Sequence, residues 1–221
     1  MREITLSDGT NLLLLAKRDL GLEPEEYREY FREIFSVLDS LAYNLDVQCP
    51  DISIAETITQ INDKTGQISI MDAMTYHTAD FPELENNILQ FRDPGDGIHL
   101  TGILAHEMRH LYQQKYTPEI FSNGYAQGYN ESLFDASEID ADDFAIFHLV
   151  KGAGITYEKA AGIVCPYEKK HDPKAFFYRI EKAKEISVEI EEKFALRKKQ
   201  KKTFFEKVTA FLSGNKNKKG E

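Results

Sequence analysis

Hydrophobic positions outline the elements of this chain before any other property does. Tyr27, Tyr30, Phe31, Ile34, Phe35, Leu38 and Leu41 recur at three- and four-residue steps behind Pro24. This is the period of a helix with one buried stripe, and proline is tolerated in a first turn. The spacing predicts an amphipathic helix over about 24–44 after a short leader. The pattern then changes to short β-rich pieces, Ile52 to Thr57, Gln67 to Ile70 and Met74 to His77, parted by Asn62-Asp63-Lys64-Thr65-Gly66. They read as a small twisted sheet with a turn at Gly66. Asn87 to Arg92 is ambiguous: Pro82-Glu83 would open a helix, whereas Ile88-Leu89-Gln90-Phe91 fits a strand, the reading favoured here. Asp93-Pro94-Gly95-Asp96-Gly97 breaks the pattern, and from Ile98 to Tyr116 the residues Ile103, Leu104, Met108 and Leu111 mark a mostly buried helix. A loop follows from Thr117 to Asn130, then a second helix over about 131–150, with Gly152 as its stop. A short helix near Tyr157 to Ile163, a long charged helix from Pro173 to about Lys198 and a last stretch from Thr203 to Leu212 complete the series. The polar end, Gly214 to Glu221, is expected to be disordered.

Composition adds bounds. With 221 residues, 42% hydrophobic and 29% charged, the chain has the make-up of a globular protein that buries one main core. The early apolar run Leu12 to Ala16 is too short for a signal segment, and nothing approaches the roughly 18 apolar residues of a membrane span. A cytoplasmic protein is expected. Two distant cysteines, Cys49 and Cys165, form no CxxC pattern and read as reduced thiols.

The net charge of -10 is unevenly spread: after residue 196 there are nine Lys/Arg against two Asp/Glu, leaving the first 196 residues at -17. So acidic a body makes a poor nucleic-acid surface, which needs clustered cations facing phosphates. The basic run from Arg197 to Lys202 precedes an apolar stripe of Phe204, Phe205, Val208, Phe211 and Leu212. Packing of that stripe on the acidic body is favoured over attachment to an anionic membrane surface or docking to a partner.

The chemistry concentrates in His106-Glu107-Met108-Arg109-His110, an HExxH pattern inside a predicted helix. Its two imidazoles share one face, one turn apart, and can bind one metal, while Glu107 can take a proton from a metal-bound water. A catalytic zinc needs a third protein ligand and keeps a position for water. Glu138, on the following helix, is the best candidate, with Asp135 as its replacement. Asp142 falls one turn after Glu138, placed to accept a hydrogen bond from the free nitrogen of a ligand histidine, His106 above all. Ala141 and Ala145 would let the two helices approach closely. Tyr76, His77, Tyr125 and Tyr129 could donate to a developing oxyanion, and spacing favours none of them. His99 lies roughly 10 Å along the helix from His106, too far for the same metal. His148 faces elsewhere, and His171 reads as a helix-entry residue.

AHEMRH followed by SEIDADDFA resembles the gluzincin class of zinc peptidases, and within it the ImmA/IrrE-type metallopeptidases, whose second motif reads approximately E-x-E-A-N-x-F-A. The resemblance implies His106, His110 and Glu138 as zinc ligands and Glu107 as general base. Asp142 stands where Asn is usual, and Asp140 at the second acidic position. The likeness covers about residues 98–150 and nothing after Gly152. It implies an α+β zincin-like fold, a small twisted sheet packed on an active-site helix, and a sheet edge that can pair with a substrate backbone; the hydrophobic pattern adds C-terminal helices to it. The expected organisation is a metallopeptidase domain over 1–152, a helical extension over 153–198 and a basic tail over 199–221. The expected activity is peptide hydrolysis with one Zn2+ per chain, on a protein or peptide substrate. The rivals are a zinc-binding interaction module without essential catalysis and a metal-free scaffold.

Overall fold

A computed structural model describes residues 2–5, 12–16, 25–61, 66, 68–92, 94–121, 136–188 and 190. The chain divides into two units, Met1–Ala183 and Lys184–Glu221. The first is a mixed α+β body, mostly helical with a small sheet. Its strands are β1 (Arg2–Thr5), β2 (Leu12–Ala16), β3 (Asp51–Ile54), β4 (Ile58–Ile61), β5 (Ile68–Met71), β6 (Ala73–Tyr76) and β7 (Ile88–Phe91). Its helices are α1 (Glu25–Leu45), α2 (Gly97–Tyr116), α3 (Pro118–Phe121), α4 (Ala136–Ala153), α5 (Tyr157–Val164) and α6 (Pro166–His171). A last helix, α7, starts at residue 173 and fills the unit to 183; in the second unit, residues 184–188 and 190 are described, all helical.

Five strands form one sheet in the order β1-β2-β3-β7-β6, and β4 and β5 form a separate antiparallel pair. β3 and β7 run parallel, with Asp51 opposite Ile88 and Ile54 opposite Phe91. β7 is buried along its whole length, which explains why its residues read as one apolar run rather than an alternation. Its one polar residue, Gln90, is satisfied inside: Tyr76 Oη donates to its oxygen at 3.1 Å and its amide donates to Ser53 Oγ at 3.2 Å. β6 pairs antiparallel with β7 and lies at the end of the sheet beside α2.

α2 opens after Gly95, whose φ of +68° suits glycine, with the Asp96 side chain accepting from Ile98 N at 3.1 Å. Leu100, Leu104, Met108 and Leu111 are buried along it. α2 packs most extensively on α4, where Ala105, Ala141 and Ala145 are fully buried and a Cβ on Gly102 would meet Leu149 Cδ1 at 3.3 Å. Small residues therefore bring the two helix axes together. Ile146 and Leu149 of α4 continue into a core with Ala160, Ala161, Cys165, Phe176, Ile180 and Ala183. A fully buried side chain of the size of Ile146 or Leu149 contributes about 1.5–3 kcal/mol. Residues 153–183 thus share one hydrophobic core with α4.

Several expectations are amended. The segment taken as a leader holds β1 and β2, an antiparallel pair that extends the sheet by pairing Leu15 and Ala16 with Ser53 and Ile52. The turn at Gly66, where φ is +68°, lies between β4 and β5, which stand apart from the main sheet. α4 runs through Gly152 to Ala153, and Gly154, at φ +65°, is the residue in the left-handed conformation that ends a helix. His171 closes α6 rather than opening a helix; Asp172 Oδ1 accepts from Ala175 N at 3.1 Å and caps α7. The loop after Thr117 begins with α3, and its residues 122–135 lie outside the described residues, as do 191–221 with the basic tail. Among the described residues, no helix is long and apolar enough to cross a membrane.

Candidate metal centre

The helical repeat of α2 sets His106 and His110 one turn apart, with ring centroids at 4.7 Å and Nε2 atoms at 3.0 Å. Glu138, in the first turn of α4, completes a triangle: Oε2 lies 3.1 Å from His106 Nε2 and Oε1 3.5 Å from His110 Nε2. Zinc bonds of about 2.0–2.1 Å in a tetrahedron put ligand atoms about 3.3 Å apart. The three separations bracket that edge, so these residues fit a zinc ion, and two imidazoles with one carboxylate are a donor set that zinc favours.

Both imidazoles are fixed from behind. His106 Nδ1 lies 2.8 Å from Asp142 Oδ1, and His110 Nδ1 2.8 Å from Gln113 Oε1. Gln113 is fully buried, and its amide nitrogen donates to Ser137 O and Asp140 Oδ2, both at 2.8 Å, which turns its oxygen toward His110. Each Nδ1 therefore carries the proton, and each Nε2 presents its lone pair to the shared point.

Without a cation, the triangle holds protons. Burial opposes charge on His106, but hydrogen bonds to Asp142 and Glu138 outweigh it and hold its pKa well above the ordinary value. His110 is likewise raised, burial and His106 opposing while Glu138 prevails. Burial would raise Glu138, yet its hydrogen bonds to His106 and His110 hold it far below the usual carboxylate range. A site that attracts protons this way is a site whose donor atoms face a deficit of positive charge.

Glu107, buried on α2, accepts from Thr75 Oγ1 of β6 at 2.7 Å. Arg109 grips Asp140 with Nε at 2.7 Å and Nη2 at 2.9 Å, a bidentate pair that locks α2 to α4, and its guanidinium lies over Tyr112 and Phe144. Burial opposes the charge on Asp140, but Arg109 keeps its pKa below the usual value.

The structure thus brings together His106, Glu107, His110, Glu138 and Asp142. The other expected residues stand elsewhere. Tyr76 is committed to Gln90. His77 is buried against Phe121 with Nδ1 2.9 Å from Gln114 Oε1, and burial, against that hydrogen bond, lowers its pKa to about 4. His99 pairs with Asp96 at the exposed start of α2. His148 stacks on Phe144, and burial lowers its pKa to about 4. Tyr125, Tyr129 and Asp135 lie outside the described residues. Sequence reasoning missed Gln113 and Thr75. Gln113 was signalled by its place three residues after His110 on the same helix face; Thr75, which reaches Glu107 from another element, had no local signal. No protein-family model, curated protein or solved structure matches the chain.

Proposed function

We propose that this chain is a single-zinc hydrolase of peptide bonds with a zincin-like, gluzincin-type architecture, in which His106, His110 and Glu138 hold the metal and Glu107 is the proton-transferring base. The observation that carries the reading is the triangle of Nε2, Nε2 and carboxylate oxygens at 3.0, 3.1 and 3.5 Å, with each Nδ1 held by its own acceptor. When bound, zinc supplies Lewis acidity toward a carbonyl and makes a water more acidic. The protein's part is to place and move protons. Glu107 accepts one from the attacking water and returns it to the leaving amine, and Thr75 fixes its carboxylate for both transfers. Asp142 and Gln113 keep both imidazoles in the ligating tautomer. A peptide is the favoured substrate because β6, which carries Thr75, ends the sheet beside α2, and an extended backbone could add to such an edge.

Metal analysis of the purified chain, with His106→Ala, Glu138→Ala and Glu107→Ala beside the wild type, tests the reading. About one zinc per wild-type chain is expected, lost in the first two variants. Glu107→Ala should keep zinc and lose peptide cleavage by about 10²- to 10⁴-fold. A wild type that takes up no zinc on reconstitution overturns the proposal. Cleavage that persists in Glu107→Ala overturns the role given to Glu107.

A further inference from the structure

Behind the triangle lies a second cluster of charged groups that the proposed reaction does not use. Arg179 of α7 is almost wholly buried, as are Asp143 of α4, Glu168 of α6 and Cys165 before it. One guanidinium faces three carboxylates: Nη2 is 3.6 Å from Asp142 Oδ2 and 3.9 Å from Glu168 Oε1, and Nη1 is 3.8 Å from Asp143 Oδ1. The potential ligand atoms of Asp142, Cys165 and Glu168 lie within 4.8 Å of one another, a spacing that would suit a second metal. Two facts argue against one. Burial pushes the Cys165 thiol far up, so it stays S–H and points at Asp142 Oδ2 from 3.7 Å rather than offering a thiolate. The cation among these carboxylates is already there, as the side chain of Arg179.

We propose that Arg179 is a positioning residue of the metal centre, acting through Asp142 on His106; the inference rests on the zinc reading above. Asp142 is shared between the two clusters, with Oδ1 on His106 Nδ1 at 2.8 Å and Oδ2 turned to Arg179 and Cys165. Asp143 and Glu168 crowd the same space. The Arg179 guanidinium, set among them with Nη2 3.6 Å from Asp142 Oδ2, is the ion-pair partner that keeps Asp142 in the orientation that serves His106. Fold stability gives weak grounds for such a cluster, because buried ion pairs are commonly replaced by apolar groups at little or no cost. The line from Arg179 through Asp142 to His106 supplies the missing purpose, and it makes α6 and α7 part of the site.

The test is a cycle of full-length variants: wild type, Asp142→Asn, Arg179→Met, Arg179→Lys, and each Arg179 change combined with Asp142→Asn. The zinc dissociation constant is measured by competition with a chromophoric chelator, and the visible spectrum is recorded with cobalt in place of zinc. Circular dichroism of the metal-free variants reports folding. Arg179→Met is expected to weaken zinc binding about 10- to 100-fold, as outer partners of metal ligands do. Arg179→Lys should recover part of the loss, since it keeps the charge but not the breadth of the guanidinium that reaches Asp142 and Glu168 together. In the Asp142→Asn background the same changes should cost less than about twofold, because the ion pair through which Arg179 acts is already removed. The cobalt bands of Arg179→Met should shift in the direction seen for Asp142→Asn.

Wild-type affinity in a folded Arg179 variant overturns the proposal, as do equal losses in both Asp142 backgrounds or an unchanged cobalt spectrum. If Arg179→Met does not fold, Arg179→Lys carries the same comparison. Failure of both to fold also overturns it, since Arg179 would then serve the fold alone. A wild type that binds no zinc is seen before any variant is made, and marks the failure of the metal reading itself.

Discussion

Two clusters flank Asp142, and both pack titratable groups into a buried space, yet they balance charge in opposite ways. Toward α2, Glu138 faces two imidazoles whose charge is exchangeable: a proton on each or, in the proposed reading, one metal with both neutral. Toward α7, three carboxylates face one guanidinium, which is charged at every accessible pH and bonded into the chain. The first arrangement suits a centre that must gain and lose a cation. The second suits a fixture. Asp142 joins them, and in the role proposed for Arg179 a permanent charge steadies the residue that orients an exchangeable one.

The sharpest break in this comparison comes from the acceptor behind the second imidazole. Gln113→Leu leaves the His110 Nδ1–H, the Ser137 carbonyl and an Asp140 oxygen each short of a partner. Zinc affinity should fall about 10- to 100-fold. The metal-free fold should also lose about 1–3 kcal/mol, the cost of a buried polar group left unsatisfied, read from urea unfolding. If zinc affinity holds while stability falls, Gln113 belongs to the packing and the exchangeable cluster is smaller than drawn.

Acidity sharpens the contrast next. The pKa values of His106 and His110 are raised, so the metal-free chain keeps protons there above the ordinary histidine value of 6.5, and under the proposed zinc reading the metal must expel them. Zinc affinity should therefore already be falling with decreasing pH above 6.5, by about tenfold per pH unit for each proton displaced. Chelator competition at several pH values measures this, and calorimetry in buffers of different ionisation enthalpy counts the protons. A pH-independent affinity between 6.5 and 8 would contradict the proton-for-metal exchange.

The smallest effect is expected in the fixed cluster. Burial, opposed by Arg179 and reinforced by Asp142 and Asp140, pushes Asp143 up to about 8 from its ordinary 3.8. Between those values the folded chain keeps a proton that the unfolded chain has released, so this group makes stability fall as pH rises. Asp143→Asn should flatten that part of the slope between pH 5 and 8 in urea unfolding of the metal-free protein. An unchanged slope would mean that Arg179 keeps Asp143 ionised throughout.

Much of the fold was legible because its signals are local. The period of Tyr27 to Leu41 gave a helix within a residue of Glu25–Leu45, and the Asp93-to-Gly97 breaker located the start of α2. Ile88–Phe91 was harder. Its apolar run suits a buried strand or a helix, and the parallel partner β3 decides in favour of the strand. Leu12 to Ala16 carried no sign that it would pair with β3 across α1, because a strand's partner is not written in its own residues. Gly152 reads as the stop of the second helix, but α4 runs through it. Only Gly154 takes the positive φ that a glycine is needed for.

By itself the sequence determined the pair of imidazoles, since residues four apart on a helix share a face whatever surrounds them, and it placed Glu138 and Asp142 on one face by the same rule. How far apart α2 and α4 stand was decided by packing, through Ala105, Ala141, Ala145 and Gly102, together with the Arg109–Asp140 clamp. That distance turns three separate donors into a triangle near 3 Å. Thr75 behind Glu107, and Arg179 behind Asp142, come from elements remote in the chain. Their parts were settled only when long-range packing fixed which surfaces met, because a hydrogen bond or ion pair needs ångström placement that no local periodicity specifies.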